Sequence, residues 1–450
     1  MRPSGGAPRA ASPAVWLVAV LAFATTSMLV ASLQAEGGAT EIVFASGSDD
    51  TGTVQRLVDA FNESNRGAIH VTWREMGPES DAHRRQLVKE LSSGSGGVDL
   101  IASDVIWTAE FAKKRWVEDL SRRFYDAYDR DSFLAPALGS ATYRLRIRGV
   151  PWYTDAGLLF YRKDKLAQSG FAAPPKTWEE LARMAGKVMK DTGTRYGFVF
   201  QGAEYEGGAV NAAEFIWSAG GDLMTGRLTV TGAVLPGVTE TDSVLVGSEA
   251  AARGLDIARK LVAEKVSPAA VASFREREAL EAFVAGDAIF LRSWPYVYGV
   301  LRRAGFTADQ FGVAPLPAAA AGGRSASCLG GWNLMINASS SKSERDAAWK
   351  LIRYLTAPAQ QKRQAREAGL LPILRELYDD PNLVKEVPVI GLGKQVLTSQ
   401  LHARPISPFY SEISAKIARA FNQTLKGKLT GAEAAQILDK DLRAIVRRNR

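Results

Sequence analysis

From residue 41 onward, short apolar runs alternate with stretches of helical period, and this order confines the chain to an α/β architecture. Residues 41–45 read as a strand, and Val54, Leu57, Val58 and Phe61 then share one helical face. Residues 69–73 read as a second strand, 86–91 as a helix and 98–102 as a third strand. A βαβαβ order is satisfied by a parallel sheet covered with helices. Ligands of such sheets sit beyond the carboxyl ends of the strands. Ser103 and Asp104, just past the third strand, therefore face the expected crevice.

A second α/β series follows. Residues 157–161 read as a strand, and Thr177 with Glu180 reads as a capping box opening a helix over 178–189, with Leu181, Met184 and Val188 on one face. Residues 196–201 read as a further strand, and the Ala/Gly-rich stretch 317–327 as a loop. A helix is expected over 341–355 and two terminal helices over 411–450. With 450 residues, 46% of them hydrophobic, the chain is long and apolar enough for two cores. The second series implies a second lobe.

The amino terminus carries Arg2 and Arg9, then an apolar run over 14–30, then small and polar residues to Gly38. This pattern is that of a secretory signal. The run is also near the lower bound for spanning a bilayer, so residues 1–38 read as a signal peptide or an uncleaved membrane anchor. No cysteine follows the run, so there is no lipobox cysteine to carry a lipid.

The single cysteine, Cys328, excludes an internal disulfide and a cysteine-based metal site. His70, His83 and His402 show no paired spacing, which argues against zinc. The GKQ at 393–395 lacks the spacing of a phosphate loop, so any ATP is hydrolysed by another chain. The net charge of +8 is scattered among acids, without the stripe or motif of nucleic-acid binding. No cofactor and no metal are expected.

Several segments resemble the cluster-one extracellular sugar-binding proteins, the maltose-binding-protein superfamily, and most closely the trehalose/maltose-binding proteins of ABC importers. They are SDVIWTAEF at 103–111, VPWYTDAGLLFYRKD at 150–164, PPKTW at 174–178, YGFVFQG at 196–202 and YEG at 205–207. RSWPY at 292–296, LGGW at 329–332 and Leu371-Pro372 ahead of Tyr378 continue the series. The resemblance implies a periplasmic-binding-protein-like fold, with two α/β lobes joined by three hinge crossovers and the ligand in the interlobe cleft. The crossovers are then expected near 152–155, 330–333 and 371–374. One lobe is expected over 39–154 plus 333–373, the other over 155–332 plus 374–450.

A sugar presents hydroxyls at its edge and C–H patches on its faces, so its site needs flat aromatics beside charged or amide groups. By the resemblance, Trp294 and Tyr296 form the stacking platform, and Tyr153 and Trp332 flank two crossovers. Gly331 lets backbone approach the ligand. Asp104 and Asp155 are the expected carboxylates, with Asp50 ahead of the first helix and Glu206 from the second lobe. Arg84 matches a family arginine. Relatives carry another arginine two residues after the proline of the third crossover; here that place is Leu374, and Arg375 stands one later.

The expected function is that of an exported, non-enzymatic, monomeric binding protein acting in the periplasm or at the cell surface. It takes up a di- or oligosaccharide and hands it to ABC permease subunits served by a separate ATPase. Two alternatives are the same fold binding another solute, such as glycerol phosphate, and a carbohydrate-active enzyme using two carboxylates.

Overall fold

The computed structural model describes residues 38–77, 79–94, 97–224 and 243–449. The expected signal or anchor thus lies outside the described residues, except for Gly38. Among the described residues, no helix is long and apolar enough to cross a membrane.

The strands are β1 (Thr40–Ser46), β2 (Ile69–Glu75), β3 (Leu100–Asp104), the short hairpin β4 (Thr142–Tyr143) and β5 (Arg146–Ile147), and β6 (Val150–Ala156). They continue with β7 (Leu158–Arg162), β8 (Tyr196–Val199), β9 (Ala288–Ser293), β10 (Phe311–Ala314), β11 (Ser327–Ile336) and β12 (Leu401–His402). The first sheet runs β12-β11-β3-β1-β2, with β6 also on β11. Its β3-β1-β2 part is parallel, as the βαβαβ order requires, whereas β11 is antiparallel to both β3 and β6. The second sheet runs β10-β7-β9-β8 and is mixed, only β8 and β9 being parallel.

Both sheets are covered on both faces, and the sequence shows why. In β1, Ile42 and Phe44 pack under the helix Thr53–Ser64, through Leu57, Val58 and Phe61. Ala45, on the other face, joins Leu87 and Leu91 of the helix Ser80–Ser93. Successive strand residues point to opposite faces, so an unbroken apolar run is what a doubly covered strand needs. The second sheet repeats this: Leu159 and Phe198 enter one cluster, while Phe160 and Val199 enter the other.

The helices start where the caps allow. Thr177 accepts from the Glu180 N–H at 3.1 Å and opens the helix Trp178–Thr192. The expected capping box is only half formed, because the Glu180 carboxylate accepts from the N–H of Lys176 instead of Thr177. Ser341 with Glu344 forms a reciprocal box at the start of Lys342–Leu355. The expected terminal helices are Tyr410–Leu425 and Gly431–Arg448.

The three segments expected as crossovers lie side by side. β6 and β11 pair so that Gly330, Gly331 and Trp332 face Asp155, Thr154 and Tyr153. The Thr154 N–H donates to Leu371 O at 3.0 Å, and Leu374 bridges to Phe133. Each of the first two segments is the interior of one continuous strand.

Candidate functional site

Asp104 is the last residue of β3 and faces Trp332 across the β3–β11 ladder. It is buried, and its carboxylate accepts from Ser80 Oγ at 3.0 Å and from the Ile106 N–H at 3.3 Å. Asp155 lies inside β6 rather than beyond a strand end, is buried, and leaves Oδ1 without a hydrogen-bond partner among the described residues. Burial pushes its carboxyl well above the usual range, and the Asp104 charge adds to this against Arg292 and Arg404. Burial raises Asp104 as well, opposed first by Arg404.

Between these acids and the second lobe stands Arg404, a buried residue in the loop after β12. Its Nη1 donates to Glu206 Oε1 at 2.6 Å, and its Nη2 donates to Leu329 O at 3.1 Å. The same Nη2 is 3.5 Å from Asp104 Oδ1. Nε is buried without a partner among the described residues. Glu206 begins the helix Glu206–Ser218 and also accepts from Tyr410 at 2.8 Å and from Ser414. Burial, ahead of the opposing Arg404 charge, raises its carboxyl to about 7. The Glu206 N–H donates to Asp81 of the first lobe at 3.3 Å, so the lobes touch here. Arg275 pairs with Glu79 across the same seam.

Trp294 is half-buried, and its ring lies against Gly330. A Cβ on Gly330 would sit 2.8 Å from that ring and 2.9 Å from the Asp155 Cβ, so only glycine lets the indole lie this close to the acid. Behind the ring, the Arg292 guanidinium stacks 4.1 Å from its centroid. Arg292 is buried and bound by two hydrogen bonds to Glu214, at 2.7 and 2.6 Å. Gly331 has φ 120°, and a Cβ there would lie 2.5 Å from Tyr153 O. Burial holds the Tyr153 hydroxyl well above its ordinary value, reinforced by Asp155, Asp104 and Asp49. The Tyr296 hydroxyl is also raised, by burial first and then by Glu276, with Asp50 and Asp155 adding to it.

The other sequence-expected residues are placed differently. Trp332 stacks on His83, with centroids 5.1 Å apart, and meets Trp107 edge-on at 5.5 Å, so it belongs to an aromatic cluster. Arg84 holds Glu110 with two hydrogen bonds. Asp49, not Asp50, accepts from the Val54 N–H at the start of the first helix, and Asp50 is exposed. Arg375 is exposed on the short turn Arg375–Tyr378. The structure thus gathers Asp104, Tyr153, Asp155, Glu206, Trp294, Tyr296 and Gly331 around the crossing strands, together with Trp332, which faces Asp104 and Tyr153 on those strands while its ring joins the aromatic cluster. A cavity at the seam is lined by Ile106, Thr108, Leu329, Arg404 and Pro405, and by none of the residues expected from sequence. Arg404 and Arg292 are the residues that sequence reasoning missed. Arg292 stood in a quoted motif, but Arg404 has no local pattern to mark it. Among the described residues, no group of three or more His, Cys, Asp or Glu is placed to hold a metal ion.

Comparison with known proteins gives consistent matches. The family described as bacterial extracellular solute-binding protein matches residues 45–362. A probable ABC transporter-binding protein of Deinococcus radiodurans is 35% identical over 82% of this chain and 84% of its own length. Maltose-bound MalE3 of T. maritima superposes with a TM-score of 0.81 at 34% identity, covering 90% of this chain and 100% of that one. A solute-binding protein of Thermotoga lettingae, bound to alpha-D-tagatose, gives a TM-score of 0.79 at 26% identity, covering 91% and 100%.

Proposed function

The chain belongs to the bacterial extracellular solute-binding protein family, and from that premise we propose that it binds a neutral di- or oligosaccharide of trehalose or maltose type. It delivers this sugar, without turnover, to ABC permease subunits driven by a separate ATPase. It acts outside the cytoplasm, as a monomer. The lobes divide at 154/155, 332/333 and 373/374, so that closure bends the crossing strands.

The observation that carries the reading is the pairing of Trp294 with Asp155 across Gly330. It sets an aromatic face beside a carboxyl with an unpartnered oxygen. A pyranose asks for this combination, since its C–H face stacks while its hydroxyls seek strong partners. The unpartnered Nε of Arg404 adds a donor to the same buried group. The cations argue against an anionic solute: Arg404, Arg292, Arg84 and Arg275 each already face a carboxylate. The neighbours bound to maltose and to alpha-D-tagatose support a sugar ligand.

Calorimetry of the mature protein against trehalose, maltose, maltotriose and glycerol phosphate tests the reading. A neutral sugar should bind and glycerol phosphate should not. Trp294→Ala should weaken sugar binding by about 2 kcal/mol, as for a central aromatic anchor, with the fold intact. Tight binding of the phosphate alone, or an unchanged affinity in the variant, would reject it. Sugar cleavage on prolonged incubation would favour the enzyme.

A further inference from the structure

We propose that the β4–β5 hairpin is a membrane-contact tip that seats the protein on an anionic bilayer surface. The proposal does not depend on which solute the cleft takes. The ladder pairs Thr142 with Ile147 and Tyr143 with Arg146, which leaves Arg144 and Leu145 as a two-residue loop. Both have positive φ, 48° and 64°. Such a loop is normally Asn-Gly or Asp-Gly, because left-handed backbone is costly for a residue that carries a Cβ. The hairpin is held down by Tyr143, which is buried against Ala109 and Ala112 of the helix Thr108–Lys113. Lys113, Lys114 and Arg115 follow at the end of that helix, and Arg115 again has positive φ, 58°. Among the described residues only four non-glycine residues have positive φ, and three of them thus belong to this hairpin and the helix beneath it. Strain of this kind persists where the side chain it presents has a use.

What the loop presents is an apolar side chain among cations. Leu145 is 59% exposed at the loop. Tyr125, 60% exposed, stands on the helix Ser121–Ala127, which opens against β5, where Ser121 Oγ accepts from the Ile147 N–H at 3.0 Å. These are the two most exposed large hydrophobic side chains among the described residues. Residues 142–148 hold Arg144, Arg146 and Arg148 and no acid. Arg144 and Arg146 are exposed, as are Lys113, Lys114 and Arg115. Asp119 lies 3.7 Å from Arg146 and 4.0 Å from Arg148, a single carboxylate against this set. The nearby acids Glu118 and Asp126 face Arg123 and Arg122 instead. Charge of one sign selects an anionic surface. A partner that answered the charge alone would leave Leu145 in water, and a projecting two-residue loop is a wedge rather than a groove for a peptide. A bilayer answers both: phosphates meet the arginines and lysines, while Leu145 and the Tyr125 ring enter the headgroup region.

Flotation of the full chain with vesicles of phosphatidylcholine alone, and with about one third phosphatidylglycerol, tests this. The apolar run at 14–30 and the arginines before it are common to wild type and variants, so the difference between them reads the hairpin. Arg144→Asn should lower partition onto the anionic vesicles by about fivefold, the share of one arginine at such a surface. Leu145→Gly should lower it further. The two substitutions together should raise the melting temperature, because Asn-Gly takes up the left-handed loop without strain. Partition onto the neutral vesicles should stay at the wild-type value, and high salt should remove the wild-type preference for the anionic ones. Equal partition of wild type and the double variant onto anionic vesicles would overturn the proposal. So would a loss of the same size on neutral vesicles, since charge then plays no part. Unchanged partition with solute uptake lost in cells would make the hairpin a protein-docking tip, and that too overturns the lipid assignment. Should the double variant fold poorly, Arg144→Gln with Arg146→Gln keeps Leu145 in place and decides by the same comparison. No sugar enters the flotation, so failure to bind any carbohydrate would reject the function above and leave this inference standing.

Discussion

His83 is buried in contact with Trp332 and Trp107, and neither ring nitrogen has a partner among the described residues. Burial first, then the Arg74 charge, lowers its pKa to about 4. The unfolded chain binds a proton near pH 6.5, whereas the folded chain does not until about pH 4. The stability tied to a neutral His83 is therefore complete above the upper value and lost as pH falls through this window. The loss amounts to about 3 kcal/mol by the fully acid end. His83→Phe keeps a flat ring against Trp332 and removes the titration. Denaturant unfolding near pH 7 and near pH 4 should show the variant losing less stability on acidification than wild type, by about that amount. Equal losses would mean that the ring is hydrated or protonated without cost. Arg292 shows the complementary use of burial: its pair with Glu214 lies behind Trp294, where it holds the indole against Gly330.

The paired strands β6 and β11 are the elements on which the site depends. Gly331 combines a φ of 120° with a Cβ position 2.5 Å from Tyr153 O, so Gly331→Ala must both strain the backbone and push the strands apart. A loss of about 1–3 kcal/mol is expected, together with weaker sugar binding, because Tyr153 and Asp155 shift with the strand. Thermal unfolding and calorimetry on the same preparation check this; an alanine accepted with no change in either would show that the ribbon tolerates a side chain there. At this scale the sequence was informative wherever the signal is local. Helical period marked Val54, Leu57, Val58 and Phe61, and all four are buried as expected. Ends were less legible: β3 begins at Leu100, two residues later than read, although the Asp99 N–H already donates to Val43 O at 3.0 Å and the Asp99 carboxylate accepts from the Val43 N–H at 2.9 Å. Where a motif held a candidate residue, as with Trp294 and Asp155, the structure brings it against Gly330 on the crossing strands. Arg404 was invisible because its partners Asp104, Glu206 and Leu329 are distant in sequence, and no periodicity records such meetings. The same reason explains Arg84, whose partner Glu110 comes from another helix.

At the scale of the molecule, both lobes contribute to one buried group, with Asp104 from the first sheet and Glu206 and Trp294 from the second lobe. A ligand that contacts both sides binds the closed form better than the open one, and only that difference can shift the equilibrium. Scattering should give a smaller radius of gyration for the sugar-saturated protein than for the free one. Equal radii, with saturation verified by calorimetry, would mean that the free protein is already closed or that one lobe does all the binding. The pairing of β3 with β11 also orders events in time. β3 finds one of its two neighbours in β1 at once, but the other is supplied only after a detour on the order of two hundred residues, through most of the second lobe. Until Ser327–Ile336 has been made, the first sheet keeps an unpaired edge at Asp104, and the pocket wall it belongs to does not exist. Contacts this distant are slow to form because loop closure must precede them. A nascent chain thus keeps this sheet incomplete, and the wall of the candidate site unformed, until late in its synthesis.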